Sequence, residues 1–442
     1  MGVRNRLSAI LAALLVLACA IFPAPVRAQE SLPPIEITSA AKAQPIAVSA
    51  LKNLGGDDSH QVSATFVKVL MRDLTLSSFF RIVDPASYIE DAQNSGFDIG
   101  QFNFADWSSI GADFLVKGTV TRDGDKISVE ALLFDVPQQR RMMGKKFSGD
   151  PHDVGEMARR FADAILLNAT GTRGPFDSKL AFVSTRGGRF KEIYTSWLDG
   201  GGLFRVTDNP TINLFPAFDR SVTHLLYLSY KTYTPILYLV DLGNQTEVPI
   251  NPGLGQAVGG ALTPDGQIIG AFERAGSTNL YLLTQGGNLV RSLTDNHAIN
   301  VGPSVCADGG QFAFTSDRSG TPQIYTESLD GGDAHRITYK GDYNTAPAFS
   351  PDCKKIAYES RQSGFQIYVI NSDGTGARQL TQSGSNQGPA WSPDGRYIAF
   401  SSNRGGGSRI YLMRARDGYV IAPLTEGQGN ESNPAWSWWM GG

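Results

Sequence analysis

From residue 177 onward the apolar positions fall in short runs of period two, separated by Gly-, Pro- and Asp-rich breaks, and the whole pattern returns at a fixed step. An apolar residue followed by tyrosine recurs at Ile193-Tyr194, Leu237-Tyr238, Leu280-Tyr281, Ile324-Tyr325, Ile367-Tyr368 and Ile410-Tyr411, with the tyrosines 43 or 44 residues apart. A second marker keeps the same step: Pro216-Ala-Phe218, Pro303-Ser-Val305, Pro347-Ala-Phe349, Pro389-Ala-Trp391 and Pro434-Ala-Trp436, with Gly260-Ala-Leu262 in the remaining place. Within residues 389–425 there are four strand signals, at 390–392, 397–401, 410–414 and 420–424, and Pro393-Asp394-Gly395 makes the first turn. Four short strands in about 43 residues make one propeller blade, so the pattern predicts an all-β six-bladed β-propeller over residues 177–442.

The phase of the repeat predicts how the ring closes. The first unit opens at Lys179-Leu-Ala-Phe-Val183, a second strand without its first, and the chain ends on Asn433-Pro-Ala-Trp436-Ser-Trp-Trp439, a first strand without the rest. The two fragments are expected to share a blade, which removes free sheet edges. Trp436 and Trp438 are expected to fill that seam.

Residues 45–172 carry a different pattern. Residues 45–49 and 79–83 read as strands, 59–77 as a helix with Val62, Phe66, Val69, Leu70 and Leu74 on one face, and 114–121 with 126–136 as a hairpin around Asp123-Gly124. Asp150-Pro151 starts a last helix with a buried stripe of Val154, Met157, Phe161, Ile165 and Leu166, which ends before Gly171. The sum is an α/β N-terminal domain. Ahead of it, residues 29–44 have little apolar content and read as an extended arm, in which Ile35-Glu36-Ile37-Thr38 alternates like a strand and suits pairing with a partner's sheet edge.

The first 28 residues read as an export signal: Arg4 and Arg6, an apolar run over 7–22, and small residues ending Val26-Arg27-Ala28, with cleavage expected after Ala28. Cys19 partly resembles a lipoprotein processing site, but the bulky Leu17 argues against lipidation. Losing Arg4, Arg6 and Arg27 takes the formal charge from −3 to −6. This argues against nucleic acid as a partner, because polyanion binding rests on clustered cations. Only Cys306 and Cys353 remain after cleavage, at different offsets in neighbouring blades, so a disulfide framework is not expected to underlie stability.

Catalytic signatures are missing from the sequence. There is no Gly-x-Ser-x-Gly elbow, Walker loop or dinucleotide fingerprint, and His60, His152, His224, His297 and His335 stand singly; no cofactor and no metal site are expected. Asp265, Asp308, Asp352 and Asp394 lie in hairpin turns and serve backbone geometry. Arg186, Arg274, Arg318, Arg361 and Arg404 recur after the second strand, which points to a structural contact with binding left open at one or two of them. In the second unit the usual Gly-rich hairpin is replaced by Lys231-Thr-Tyr-Thr-Pro235. Tyr227 and Tyr238 read as core there, and Tyr230 and Tyr233 as core or as an exposed anchor for a protein partner.

The order of export signal, Ile-Glu-Ile-Thr arm, α/β domain with Ile110-Gly-Ala-Asp113-Phe-Leu-Val-Lys-Gly118, and six Pro-Ala-Trp-Ser-Pro-Asp-Gly units resembles the TolB family of the bacterial Tol-Pal system, whose blades are WD40-like PD40 repeats. The resemblance implies a periplasmic, non-enzymatic adaptor acting in outer-membrane integrity and in outer-membrane invagination at cell division. It also implies two partners: TolA, bound by the arm, and the Pal lipoprotein, bound by a propeller face. The protein would not span a membrane but associate with the outer membrane through Pal. Carried over, the arm positions are Gln29, Glu30, Ile35, Glu36, Ile37 and Thr38, of which the last four match the family well. The face follows from geometry: the α/β domain enters at a second strand, so it sits on the side of the first hairpins and leaves the opposite mouth free. The loops before each Pro-x-aromatic marker place Gln256, Val258, Asn300, Val301, Tyr343, Asn344, Thr345, Asn386, Asn430 and Glu431 there. Where the family uses a His and a Thr-Glu pair, this chain has Gln256 and Val301-Gly302, so the pairing chemistry must differ. The competing reading is a secreted propeller hydrolase or carbohydrate-binding protein that uses the channel mouth as its pocket.

Overall fold

The computed structural model describes residues 43–55, 59–427 and 429–440, so the export signal and the arm positions Gln29 to Thr38 lie outside the described residues. The N-terminal part runs β1 (Gln44–Val48), β2 (Lys52–Gly55), α1 (Ser59–Leu76), β3 (Phe80–Ile82), α2 (Phe104–Ser109), β4 (Phe114–Asp123), β5 (Lys126–Asp135), β6 (Arg140–Gly149) and α3 (Val154–Thr170). Its sheet is mixed, ordered β3-β1-β4-β5-β6, with β1 parallel to both neighbours and β2 continuing that edge against β4.

Both long helices bury the faces their periodicity marks. Val62, Phe66, Leu70 and Leu74 of α1 are buried while Val69 is half-buried, and Phe66 meets Phe161 of α3 with ring centroids 6.2 Å apart. Asp150 caps the approach to α3: its carboxylate accepts the His152 N–H, Asp153 accepts the Asp150 N–H in return, and Pro151 fills a position that needs no donor. Gly171 ends the helix at φ 76°, a left-handed conformation that costs glycine little. Three elements had no sequence signal. β2 and α2 are only four and six residues long. β6 is a charged edge strand, Arg-Arg-Met-Met-Gly-Lys-Lys, without the apolar alternation by which a half-buried strand is read.

The rest is six four-stranded antiparallel sheets. Blade I pairs Glu431–Trp439 with Ser178–Ser184, followed by Glu192–Trp197 and Phe204–Arg205, so the last strand seals the ring as its phase predicts. Blades II to VI begin at Asn213–Phe218, Gln256–Leu262, Asn300–Val305, Asn344–Phe349 and Asn386–Trp391. Each first strand carries a bulge at the residue before the marker. Phe215, Ala346 and Asn433 take φ of 53°, 50° and 49° there, as Gly302 and Gly388 do at 61°. Trp436 does join the seam, its indole N–H donating to Ser178 at 2.8 Å. Trp436 and Trp438 also line an axial cavity of about 170 Å³ with Trp391, Phe349 and Val305.

One expectation is corrected. Cys306 and Cys353 form a disulfide across blades IV and V, with Cα atoms 5.4 Å apart and a sequence separation of 47. The first hairpins of adjacent blades converge there, so two different offsets meet in space. Cys306 takes the place that Ser350 and Ser392 hold in the following blades, and Cys353 (φ 59°) the left-handed place that glycine holds at Gly309 and Gly395.

The α/β part lies against the first-hairpin side. The Tyr397 hydroxyl donates to the Ser77 carbonyl at 2.7 Å, the Trp439 indole to the Gly174 carbonyl at 2.7 Å, and Arg159 reaches Asp199 in the blade I hairpin at 2.7 Å. Among the described residues nothing covers the opposite mouth.

Candidate docking face of the propeller

The first strands and the hairpins between second and third strands share the open mouth, and the same hydrogen-bonded arrangement recurs at its blade junctions. At the junction from blade III to IV, Thr294 accepts the Leu280 N–H and donates to the Asn279 side chain, both at 2.9 Å. The Asn300 amide donates to that same Asn279 oxygen at 3.2 Å. Thr338, Gln323 and Asn344 repeat the arrangement from IV to V, as do Thr381, Gln366 and Asn386 from V to VI, and Thr207, Glu192 and Asn213 from I to II. From VI to I, Thr425 still accepts the Ile410 N–H, while Glu431 pairs with Arg186.

These clasps redraw the face expected from the loops. Asn300, Asn344 and Asn386 are fully buried and Glu431 is 2% exposed, so their side chains bind blade to blade and are not surface groups. Buried polar groups are held by internal partners: the three Asn amide nitrogens and Glu431 Oε1 are so held, while Asn344 Oδ1 and Glu431 Oε2 are buried without a hydrogen bond. The sequence held the signal, because Asn300, Asn344 and Asn386 recur with the repeat and a residue every blade needs serves the blade. Gln256, Tyr343 and Asn430 are exposed at the mouth, and Val258, Val301 and Thr345 are half-buried there. Asn430 is partly engaged, its side-chain oxygen accepting the Ser408 N–H at 3.1 Å. Tyr343 packs edge-on against Phe365 with Arg361 over its ring.

The recurring arginines divide into two groups. Arg186, Arg318 and Arg404 each donate from Nε to a serine hydroxyl, Ser184, Ser316 and Ser402, and lie over an aromatic pair of their own blade. Arg274 and Arg361 make no such bond. The four aspartates serve their turns as expected, Asp308 accepting the Gly310 N–H and Asp394 the Arg396 N–H. Cys306, Asp308 and Cys353 are the one group of metal-ligating types that converges among the described residues, and the disulfide uses both sulfurs.

Beside the mouth, burial raises the Glu359 carboxyl to about 7 against the pull of the Gly388 N–H, which it accepts at 2.8 Å, and of the Gln387 side chain. The larger cavity lies elsewhere, about 1110 Å³ between α1, α3 and blade I, lined by Lys68, Arg72, Arg159, Trp197 and Glu426. No helix among the described residues is long and apolar enough to cross a membrane.

A mixed-sheet α/β domain set on the first-hairpin side of a self-sealed ring of six blades defines a two-domain protein of the six-bladed propeller class. Residues 167–440 match the family model described as TolB beta propeller domain, and residues 33–142 the one described as TolB amino-terminal domain. The chain belongs to the TolB family. Among its relatives, the Tol-Pal system protein TolB of Desulfosudis oleivorans is 37% identical over 57% of this chain and 57% of its own length. That of Geobacter metallireducens is 38% identical over 47% of each chain. These matches span about half the length of each relative. The crystal structure of TolB from Acinetobacter baumannii superposes with a TM-score of 0.77 at 25% identity, covering 90% of this chain and 97% of that one.

Proposed function

We propose that this chain is a periplasmic adaptor of the Tol-Pal system, exported with cleavage after Ala28, that receives the Pal lipoprotein at the open propeller mouth and TolA at residues 29–38. In this role it supports outer-membrane integrity and outer-membrane invagination during division, and holds to the outer membrane through Pal. The arm exchanges between its own protein and TolA, with Pal occupancy shifting the balance. The observation that carries the reading is membership of the TolB family joined to a propeller mouth that the α/β domain leaves uncovered. Gln256, Tyr343 and Asn430, with Val258, Val301 and Thr345 beside them, are the contact positions the reading retains.

The test is affinity capture from cell envelopes. The full chain is expected to recover both Pal and TolA, and deletion of residues 29–38 to abolish TolA recovery while Pal recovery persists or strengthens. Loss of both on that deletion, or recovery of neither by the full chain, overturns the reading.

A further inference from the structure

One blade junction is built differently from the other five. From blade II to III the clasp positions are held by Ile236, Asn251 and Gln256. The first is a hydrocarbon, and the other two are exposed and make no side-chain hydrogen bond among the described residues. Every other junction keeps at least the threonine-to-backbone bond. A repeat that drops a buried fastening at one place, without replacing it, frees the side chains there for something outside the fold.

The same sector carries the apolar surface that the loop positions miss. The blade II hairpin between its second and third strands presents Tyr233, 99% exposed, at φ 67°, a left-handed conformation that bulky side chains rarely adopt. Tyr230, Ile212 and Phe215 of the same blade are also exposed, with the Tyr233 N–H donating to the Tyr230 carbonyl at 3.0 Å and the Tyr230 N–H to the Ile212 carbonyl at 3.1 Å. Lys231 pins the hairpin by lying over the Tyr238 ring at 3.6 Å and pairing with Glu247. Across the junction Gly259 faces the Phe215 ring, and a side chain at that glycine would meet it at 3.7 Å. Gly255 backs onto Glu273 and Arg274, and the Arg274 guanidinium is exposed with no hydrogen bond or ion pair among the described residues. Rigid aromatics beside an unpaired cation and free amides have the composition of an interface anchor.

We propose that the junction of blades II and III is a second anchoring sector for the protein received at the open mouth. It would take a partner loop that lays an apolar side chain against Tyr230, Tyr233 and Phe215 and a carboxylate against Arg274. This rests on the reading that the mouth receives Pal, and it places affinity on a rim hairpin as well as on the loops of the first strands. Charge complementarity selects the occupant's chemistry: Arg274 is the sector's exposed cation without an ion pair among the described residues, Lys231 is already paired with Glu247, and the half-buried Glu273 beside Arg274 turns its carboxylate to the Gly276 N–H.

The test uses the full mature chain and the purified soluble domain of Pal, with affinity measured at low and at physiological salt. Tyr233→Gly is expected to weaken binding at least tenfold while leaving the thermal midpoint equal or higher, since glycine relieves the left-handed backbone. Arg274→Ala is expected to weaken binding severalfold and to flatten its salt dependence. Val290→Ser, on an outer strand, is expected to change nothing. If the unaltered chain fails to bind Pal, the proposed function falls. If it binds and both sector variants bind as tightly, the anchoring sector alone is overturned, as it is if Tyr233→Gly acts only by lowering the thermal midpoint.

Discussion

Arg159 of α3 donates to Asp199 of blade I at 2.7 Å, both side chains nearly free of solvent, and its guanidinium lies 4.4 Å from the centre of the Trp197 ring. Asp73 of α1 is wholly buried with neither oxygen hydrogen-bonded, and burial with the nearby Asp199 charge pushes its carboxyl well above the usual range while Arg159 pulls it down. One cation therefore serves two buried acids from two domains. Replacing Arg159 with methionine strips buried Asp199 of its ion-pair partner and leaves Arg72 as the nearby cation acting on Asp73, and a loss of about 3–5 kcal/mol is expected. Urea unfolding followed separately by α/β and propeller probes should show the two transitions separating.

The clasps give a prediction of opposite outcomes at residues of similar chemistry. Asn344→Ala removes the donor to Gln323 from a fully buried site and is expected to cost about 1–3 kcal/mol. Gln256→Ala, at the exposed equivalent position of the unclasped junction, should stay within about 0.5 kcal/mol. Denaturant midpoints of the two variants check this directly.

Glu359 should make stability fall with rising pH. Its carboxyl titrates near 4.5 in the unfolded chain and is raised to about 7 in the fold, so the folded state holds the proton more tightly. The contribution is fully favourable below about pH 4.5, declines as pH rises, and is gone above about pH 7. This amounts to roughly 3 kcal/mol at most. Glu359→Gln keeps an acceptor for the Gly388 N–H and should flatten the decline between pH 5 and 7, measured as thermal midpoint against pH.

The Cys306–Cys353 bond closes a long loop between adjacent blades. Chain-entropy arithmetic for that separation gives about 4 kcal/mol lost on reduction. Replacing both cysteines with serine should lower the midpoint of the propeller transition and abolish its response to added thiol.

The ring was legible because its markers recur, and recurrence survives the substitution of any one residue. The clasps were harder to read: Asn300, Asn344 and Asn386 recur with the blades but open the first strands at the mouth, and only their contacts with Asn279, Gln323 and Gln366 in the preceding blade show them turned inward. β6 escaped because an edge strand bearing Lys145 and Lys146 has no apolar face to alternate. The disulfide escaped because offset along the chain does not measure distance between hairpins that converge.

Strand Glu431–Trp439 completes the blade that Ser178–Ser184 begins, so the circle cannot be sealed until Glu431–Trp439 has left the ribosome. Until then five blades stand in an unclosed arc with two bare edges. A frameshift ahead of Glu431 would thus leave the ring unsealed, with the Ser178–Ser184 edge bare.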